Sequence, residues 1–155
     1  MEYKNPGSIP NFTECQETVS ELGFKLVELQ IVPQRGNVHI TAVIASKDSS
    51  KDIGVSDCGK VHRALLAKLI ALLEKNEDSV YMEVCSPGLE RNIKNAWEFT
   101  VFTGRSVRVW DRNVGDWTCG KIVSSDEEKV TLETQEEGKK SFFFSDIAKA
   151  KFYNL

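Results

Sequence analysis

The sequence predicts an α+β protein built from two small domains. Helix and strand patterns alternate up to residue 85, a sharp Pro-Gly turn follows, and five short strand patterns fill most of the remainder. The 155 residues are 41% hydrophobic and 28% charged, as in ordinary globular proteins. We therefore expect an N-terminal α/β domain at 11–90, a C-terminal barrel domain at 91–155, and a flexible tail at 1–10.

The N-terminal domain is expected to have the element order α-β-β-α-β. Its elements are predicted, in that order, at residues 11–22, 24–32, 38–44, 56–73 and 80–85. Asn11 with Glu14 resembles a capping box, and Ser56 is the expected N-cap of the longest helix. The apolar alternation of the first strand slips between Leu26 and Val27, which predicts a bulge or burial on both faces. The result is a three-stranded sheet covered on one face by two helices.

The C-terminal domain opens with a short helix and continues with strands. Asn95 and Glu98 match a second capping box, and Phe99 and Phe102 are expected to face inward. The strands are predicted at 105–112, 117–124, 129–134, 140–144 and 148–153. A 3₁₀ turn over 145–147 is typical of the step before the last strand of an SH3-like barrel. The pattern therefore predicts a five-stranded SH3-like β-barrel.

The charge distribution disfavours a protein that simply neutralises phosphates. The net charge is −3; residues 1–90 carry nine basic and 13 acidic residues, or −4, and the remainder carries +1. Proteins that hold naked nucleic acid usually show a strong basic excess. An acidic first half instead favours a basic partner, such as a ribosomal protein. Since the sequence shows neither an apolar run of about 18 residues nor a secretory h-region, a cytoplasmic protein is expected.

No residue pattern predicts catalysis or metal binding. The four cysteines are at least 27 positions apart, give no zinc-ligand spacing with the two histidines, and are interpreted as small buried side chains. A nucleophile at Cys85 with His62 as its base is the remote enzymatic alternative. We therefore expect no catalytic residues, no metal and no cofactor.

The turn motif after the third strand is the first candidate binding site. It comprises Ser86, Pro87, Gly88, Leu89, Glu90 and Arg91. Pro87 suits the second position of a type II turn, and Gly88 supplies the positive φ required at the third. Leu89 is expected to anchor the turn by packing into one domain. Glu90 and Arg91 should point to opposite sides, one pinning the inter-domain angle while the other meets a partner, unless both serve only domain docking.

The first barrel strand carries the second candidate site. If its valines face the interior, Arg108, Trp110 and Arg112 share the outer face, and Trp117 and Lys121 of the next strand extend it. An aromatic ring between guanidinium groups can stack a base and hold phosphates. The alternative is that Trp110 packs against the first domain or the short helix.

Three segments resemble the bacterial ribosome maturation factor RimP family. They are residues 54–65 (GVSDCGKVHRAL), 83–91 (EVCSPGLER) and 146–150 (DIAKA). The resemblance extends over about residues 12–153, and the 83–91 junction is its most specific part. Three positions depart from the pattern: Cys85 and His62 replace a usual Ser, and Asn92 replaces a common Pro, which puts the rigidity of the hinge in question.

The resemblance implies a non-enzymatic, cytoplasmic assembly factor with an SH3-like (Sm-like) barrel. Such factors bind the immature small (30S) ribosomal subunit and assist its late maturation, including the uptake of ribosomal protein number twelve. The expected partners are that protein and small-subunit rRNA. The factor itself is expected to be a monomer that does not associate with membranes. The alternative is a general RNA-binding module that uses the barrel surface.

Overall fold

The computed structural model describes residues 1–48 and 51–153 and divides into two compact units. The N-terminal unit is Pro6–Pro87, and the C-terminal unit runs from Gly88 onward and includes Met1–Asn5. The division thus lies slightly before the boundary expected after residue 90. Residues 154 and 155 of the expected C-terminal domain lie outside the described residues.

The N-terminal unit has the predicted element order. Its elements are α1 (Phe12–Glu21), β1 (Phe24–Gln34), β2 (Asn37–Ser46), α2 (Val55–Leu73) and β3 (Val80–Cys85). The sheet order is β1-β2-β3, with β1 antiparallel and β3 parallel to β2. The register shifts between Leu26 and Glu28, and both Leu26 and Val27 are buried, as the slipped alternation predicts.

The core of this unit lies between the sheet and its two helices. Helix α1 packs against β1 and α2, and α2 packs against β3. Parallel strands require a crossover connection, and α2 provides it between β2 and β3. The buried side chains Val61, Leu65 and Leu69 recur at helical spacing and so form the apolar stripe of α2.

Of the two predicted N-caps, Asn11 is right in position but lacks the side-chain hydrogen bond of a capping box, and Ser56 is wrong. Asn11 adopts a left-handed conformation (φ 63°), and its side chain forms no capping hydrogen bond to a described residue. Asparagine tolerates this conformation better than most residues, so backbone geometry takes the place of the side-chain cap. Helix α2 begins before Ser56: Gly54 is the N-cap, and its N–H donates to Asp57 Oδ2 at 2.9 Å.

The C-terminal unit consists of a short helix and a five-stranded antiparallel sheet. Its elements are α3 (Glu98–Val101), β4 (Ser106–Asp111), β5 (Asp116–Ser125), β6 (Lys129–Thr134), β7 (Gly138–Phe143), a 3₁₀ turn (Phe144–Asp146) and β8 (Ile147–Phe152). The strand order is β7-β6-β5-β4-β8. Within the described ranges no ladder joins β7 to β8, so the closed barrel expected from the sequence is not observed.

Aromatic rings fill the core of the C-terminal unit. Phe99 stacks on Phe144 at 5.9 Å between ring centroids, and Phe102 meets Phe152 edge to face at 4.7 Å. Residues 1–5 pack onto this core: Tyr3 stacks on Phe144 at 6.2 Å, and the Ala96 N–H donates to the Glu2 carbonyl at 3.0 Å. This segment therefore differs from the flexible tail that the sequence suggests.

None of the helices in residues 1–48 and 51–153 combines the length and apolar character that crossing a bilayer requires.

Candidate functional site

The junction between the two units presents several exposed residues. Gly88 has the predicted positive φ, at 79°, a conformation that glycine adopts without the steric cost of a Cβ. Ser86, Leu89 and Glu90 are exposed, and Pro87 is half-buried. The Leu89 side chain is 69% exposed, so the expectation that it anchors the turn by packing into one domain is wrong.

Arg91 is buried rather than exposed. Its Nε donates to Glu98 Oε1 at 2.7 Å, and the two side chains are only 7% and 2% exposed. The other carboxylate oxygen of Glu98 accepts the backbone N–H groups of Lys94 and Asn95 at 3.1 and 2.9 Å. Glu98 thus accepts the Asn95 N–H, as one half of the predicted capping box requires, but α3 begins at Glu98 with Trp97 as its N-cap. Arg91 bonds to the same carboxylate and serves the C-terminal unit as an internal anchor.

The backbone after the junction is fixed to β8. The Phe152 N–H donates to the Arg91 carbonyl, and the Ile93 N–H donates to the Ala150 carbonyl, both at 2.9 Å. Asn92 forms an isolated antiparallel bridge with Lys151. The second half of the predicted binding motif is therefore held by main-chain hydrogen bonds and by the buried ion pair together.

Strand β4 shows the predicted alternation. Val107, Val109 and Asp111 are buried, whereas Arg108 and Trp110 are half-exposed on the opposite face. In an antiparallel pair, directly opposed residues share a face, so Trp117 of β5, the partner of Trp110, lies on the Arg108 side. The sequence therefore located the outer face of this strand correctly.

The side chains on this face form a compact cation–aromatic cluster, which we call the tryptophan–cation face and define as Arg108, Trp110, Trp117 and Lys149. The Arg108 guanidinium carbon lies 4.5 Å from the Trp117 ring centroid, and the two indole rings meet edge to face at 5.5 Å. Lys149 Nζ lies 5.4 Å from the Trp110 centroid and 5.3 Å from that of Trp117. One ammonium group thus bridges both indoles.

Two further lysines flank the tryptophan–cation face. Lys151 of β8 is directly opposite Arg108, and Lys121 of β5 is opposite Ser106. Lys121 was expected from the sequence, but Lys149 and Lys151 were missed. The signal that would reveal them is the pairing of β8 with β4, which joins the first and last strands of the sheet and leaves no trace in local periodicity.

Arg112 departs from the expected site. It follows the last residue of β4, is exposed, and makes no ring contact with either tryptophan among the described residues. Its backbone N–H donates to the Asp146 carbonyl at 2.8 Å. The alternation that relates Arg108 to Trp110 ends with the strand, and Arg112 belongs to the following turn.

A cavity of about 700 Å³ adjoins the tryptophan–cation face. Its lining includes Trp117, Lys121 and Tyr153 together with the acidic Glu133 and Glu136, and Lys121 lies directly opposite Glu133. Ligand pockets of small-molecule size span about 300–1,000 Å³, so the cavity has room for a planar group the size of a base.

Three of the cysteines and His62 differ in burial from what the sequence predicts. Of the four thiols expected to be buried, only Cys15 is; Cys58 is half-buried, and Cys85 and Cys119 are exposed. His62, expected on the helix surface, contacts the Met82 carbonyl through Nε2 at 3.0 Å. Within the described ranges, no group of three or more His, Cys, Asp or Glu residues is arranged to hold a metal ion.

Comparison with known proteins identifies relatives of this chain. Residues 14–90 match the family described as the RimP N-terminal domain. The ribosome maturation factor RimP of Borrelia hermsii is 27% identical over 136 residues, which cover 88% of this chain and 89% of the relative. The protein of the same name from Borrelia recurrentis is 28% identical over 130 residues, covering 84% and 85%. The similarity therefore extends across both units.

Proposed function

Since this chain belongs to the RimP family, we propose that it is a ribosome maturation factor that binds the immature small (30S) subunit and assists its late folding. The observation that carries the proposal is the similarity over nearly the full length to proteins named ribosome maturation factor RimP. In this proposal the chain acts in the cytoplasm as a monomer, through binding energy alone. Preferential affinity for the immature particle would shift its folding equilibrium.

The proposal includes assistance in the uptake of ribosomal protein number twelve. The charge of the N-terminal part supports it, because residues 1–90 carry −4, and an acidic surface favours association with a basic protein. The exposed junction residues Ser86, Leu89 and Glu90 are the proposed contacts from the turn, with Pro87 and Gly88 shaping it and Arg91 holding it in place.

We also propose that the C-terminal sheet is an SH3-like barrel. Support comes from the five-stranded antiparallel order in which the first strand lies between the second and the last, and from the 3₁₀ turn directly before β8. Such small barrels suit recognition, because their loops and outer strand faces are carried by a rigid core.

The test is co-sedimentation with purified ribosomal particles. The chain should sediment with small subunits lacking ribosomal protein number twelve and much less with assembled ribosomes. Leu89→Asp should weaken that binding without changing the urea midpoint, because the side chain is 69% exposed. The exposed Glu127→Lys serves as a matched surface control. Equal recovery of small subunits and assembled ribosomes would contradict a maturation role.

A general RNA-binding module is the second candidate function. The tryptophan–cation face favours it, because this face combines aromatic rings with cations. The two candidates differ in what they bind best: a general module should bind unrelated naked RNA as tightly as it binds the subunit, whereas a maturation factor should strongly prefer the particle.

A further inference from the structure

Among the described residues, the cations on and beside the tryptophan–cation face form no ion pair, and only Lys121 lies directly opposite a carboxylate, that of Glu133 on β6. These cations are Arg108, Lys121, Lys149 and Lys151. Ion pairs do occur elsewhere in the same unit. Arg91 pairs with Glu98, and Lys140 of β7 pairs with Glu137 of the preceding turn at 3.3 Å. Because Lys121 faces Glu133, the local positive potential of this face comes mainly from Arg108, Lys149 and Lys151.

Arg108 is positioned by an aromatic ring rather than by an acceptor. Its guanidinium stacks over Trp117, and its Nε is buried without a hydrogen-bond partner among the described residues. Buried side-chain donors are ordinarily paired, so this arrangement needs an explanation beyond stability. The ring contact holds the guanidinium over Trp117 without an ion pair to any described carboxylate.

The two indoles distinguish this surface from a simple cationic patch. Trp110 and Trp117 are both half-exposed, and their rings lie at 87° to each other. Bases of single strands stack on aromatic rings and on arginine planes, whereas bases of a duplex are already stacked and offer only phosphate and sugar. The combination of rings and cations thus suits an unpaired strand better than a helix.

We infer that the tryptophan–cation face, with Lys121 and Lys151 beside it, binds single-stranded RNA. An unpaired base stacks on the indoles or on the Arg108 plane, and the lysines contact neighbouring phosphates. Strands are spaced by about 4.8 Å, so the three strands present a surface roughly 10 Å wide, enough for two or three nucleotides. This inference deepens the proposed function and rests on it, since it names the part of the subunit that this face contacts.

The test is a fluorescence titration of the full chain with a single-stranded 12-nucleotide RNA. The three tryptophans lie at positions 97, 110 and 117. In the Trp97→Phe variant, tryptophan fluorescence therefore comes only from Trp110 and Trp117 of the tryptophan–cation face. Stacking of a base should quench this emission, and a blunt 12-base-pair RNA duplex should quench it much less. Absence of quenching by the single strand at low salt would overturn the inference.

Variants of exposed lysines separate binding from folding. Lys149→Gln and Lys121→Gln remove charge from exposed side chains and should each weaken RNA binding about threefold to tenfold while lowering the salt slope by about 0.7. Lys75→Gln, an exposed lysine of the N-terminal unit, is the matched control and should change neither. Equal effects of all three variants would show only non-specific attraction and would overturn the inference.

Two aromatic variants test stacking directly. Trp117→Phe keeps a ring and should retain most of the affinity, whereas Trp117→Ala should lose about tenfold or more, as for a single stacked base. Because Trp117→Ala also removes a packing contact, its urea unfolding midpoint is measured in parallel. If the alanine variant unfolds, RNA binding by the folded Trp117→Phe variant still tests the contribution of the ring. If both variants are folded and bind the single-stranded RNA equally, Trp117 does not stack on a base and the inference is overturned.

An acidic polypeptide is the competing occupant. Poly-L-glutamate of matched charge should bind weakly and should not quench the indoles; tighter binding than RNA would overturn the inference. Co-sedimentation of the same variants with small subunits separates the two proposals. If the wild-type chain binds subunits but not single-stranded RNA, the inference fails and the maturation role stands. If the wild-type chain does not bind small subunits, the maturation role fails.

Discussion

Arg91 has a different role in the structure from the one its sequence motif predicts. The motif Ser86–Arg91 predicts an exposed charge on a turn, but Arg91 is buried and bonded to Glu98, seven residues away. No local pattern signals this, because both residues are charged and neither lies on an apolar stripe. The pair forms because Arg91 is tied through its backbone to β8, which brings its side chain to the first turn of α3.

Removing Arg91 should destabilise the C-terminal unit strongly. Arg91→Ala leaves the Glu98 carboxylate buried without its counter-charge, which typically costs about 3–5 kcal/mol. Because every tryptophan lies in the C-terminal unit, urea unfolding followed by tryptophan emission reports this loss. The neighbouring Glu90→Ala, at an exposed position, should stay within about 0.5 kcal/mol of wild type. Similar losses in both variants would contradict the internal anchor.

The cysteines should differ in reactivity according to their burial. Burial, reinforced by Glu14, raises the pKa of the Cys15 thiol to about 11, and burial also raises the pKa of the Cys58 thiol. Since the thiolate is the nucleophile, alkylation at pH 8 should modify the exposed Cys85 and Cys119 quickly, Cys58 slowly and Cys15 only after unfolding. Mass spectrometry of timed samples measures this order, and early labelling of Cys15 would contradict it.

The raised pKa of Cys15 also predicts a loss of stability in alkali. The unfolded thiol releases its proton near its ordinary pKa of 9.0, whereas the folded one holds it up to about 11. The unfolded state is therefore favoured increasingly as pH rises above 9, and the stabilisation present below that pH is lost. Cys15→Ala should remove this component of the alkaline decline, measured by helical circular dichroism, and an unchanged pH profile would contradict it.

At the scale of elements, periodicity located most helices and strands within about two residues. The alternation of β4 predicted its inner valines and outer Arg108 and Trp110, because a pleated strand forces successive side chains to opposite faces. Periodicity could not predict pairing between distant strands, which brings Lys149 to the tryptophans. It also missed the start of α2 at the Gly54 cap and the left-handed backbone of the correctly placed Asn11 cap.

Gly120 lies where β5 and β6 approach each other closely. A Cβ at this position would lie 2.9 Å from the Glu133 carbonyl oxygen and 3.0 Å from the Leu132 Cβ. Gly120→Ala should therefore force the strands apart and cost about 1–3 kcal/mol. Urea unfolding followed by tryptophan emission measures this loss, and an unchanged midpoint would contradict the close approach.

Gly59 provides the opposite case. It lies within α2, where an added Cβ would meet only the end of the Arg63 side chain at 3.7 Å. Gly59→Ala should stabilise the helix by about 0.5–1 kcal/mol, because alanine loses less backbone freedom on folding. Circular dichroism at 222 nm follows this change, and destabilisation would show that the helix surface at this point is more crowded than the structure indicates.

At the scale of the whole molecule, charge is divided unevenly between the two parts of the chain. The first 90 residues carry −4, whereas one sheet face of the C-terminal unit brings Arg108, Lys121, Lys149 and Lys151 together. Sequence composition alone argued against nucleic-acid binding, because it averages over both parts. Alternation along β4 predicted part of this basic surface, and the strand pairing adds Lys149 and Lys151 to it.

Binding to naked RNA should therefore be weak and strongly salt-dependent. Three or four phosphate contacts to a single strand give a slope of about −2 to −3, so affinity should fall roughly 20- to 50-fold between 50 and 200 mM salt. Fluorescence titrations at several salt concentrations measure this slope. A flat response would contradict contacts between the four cations and phosphates.

The main-chain bonds of residues 91–93 to β8 have a practical consequence for anyone dissecting this protein. An outermost strand with bare N–H and C=O groups is a template on which another chain can add, and here the molecule covers that strand with its own backbone. A fragment that begins after Lys94 would uncover it and also lose Arg91. We therefore expect such a fragment to aggregate more readily than one that begins at Gly88, which keeps this strand covered although both lack residues 1–5.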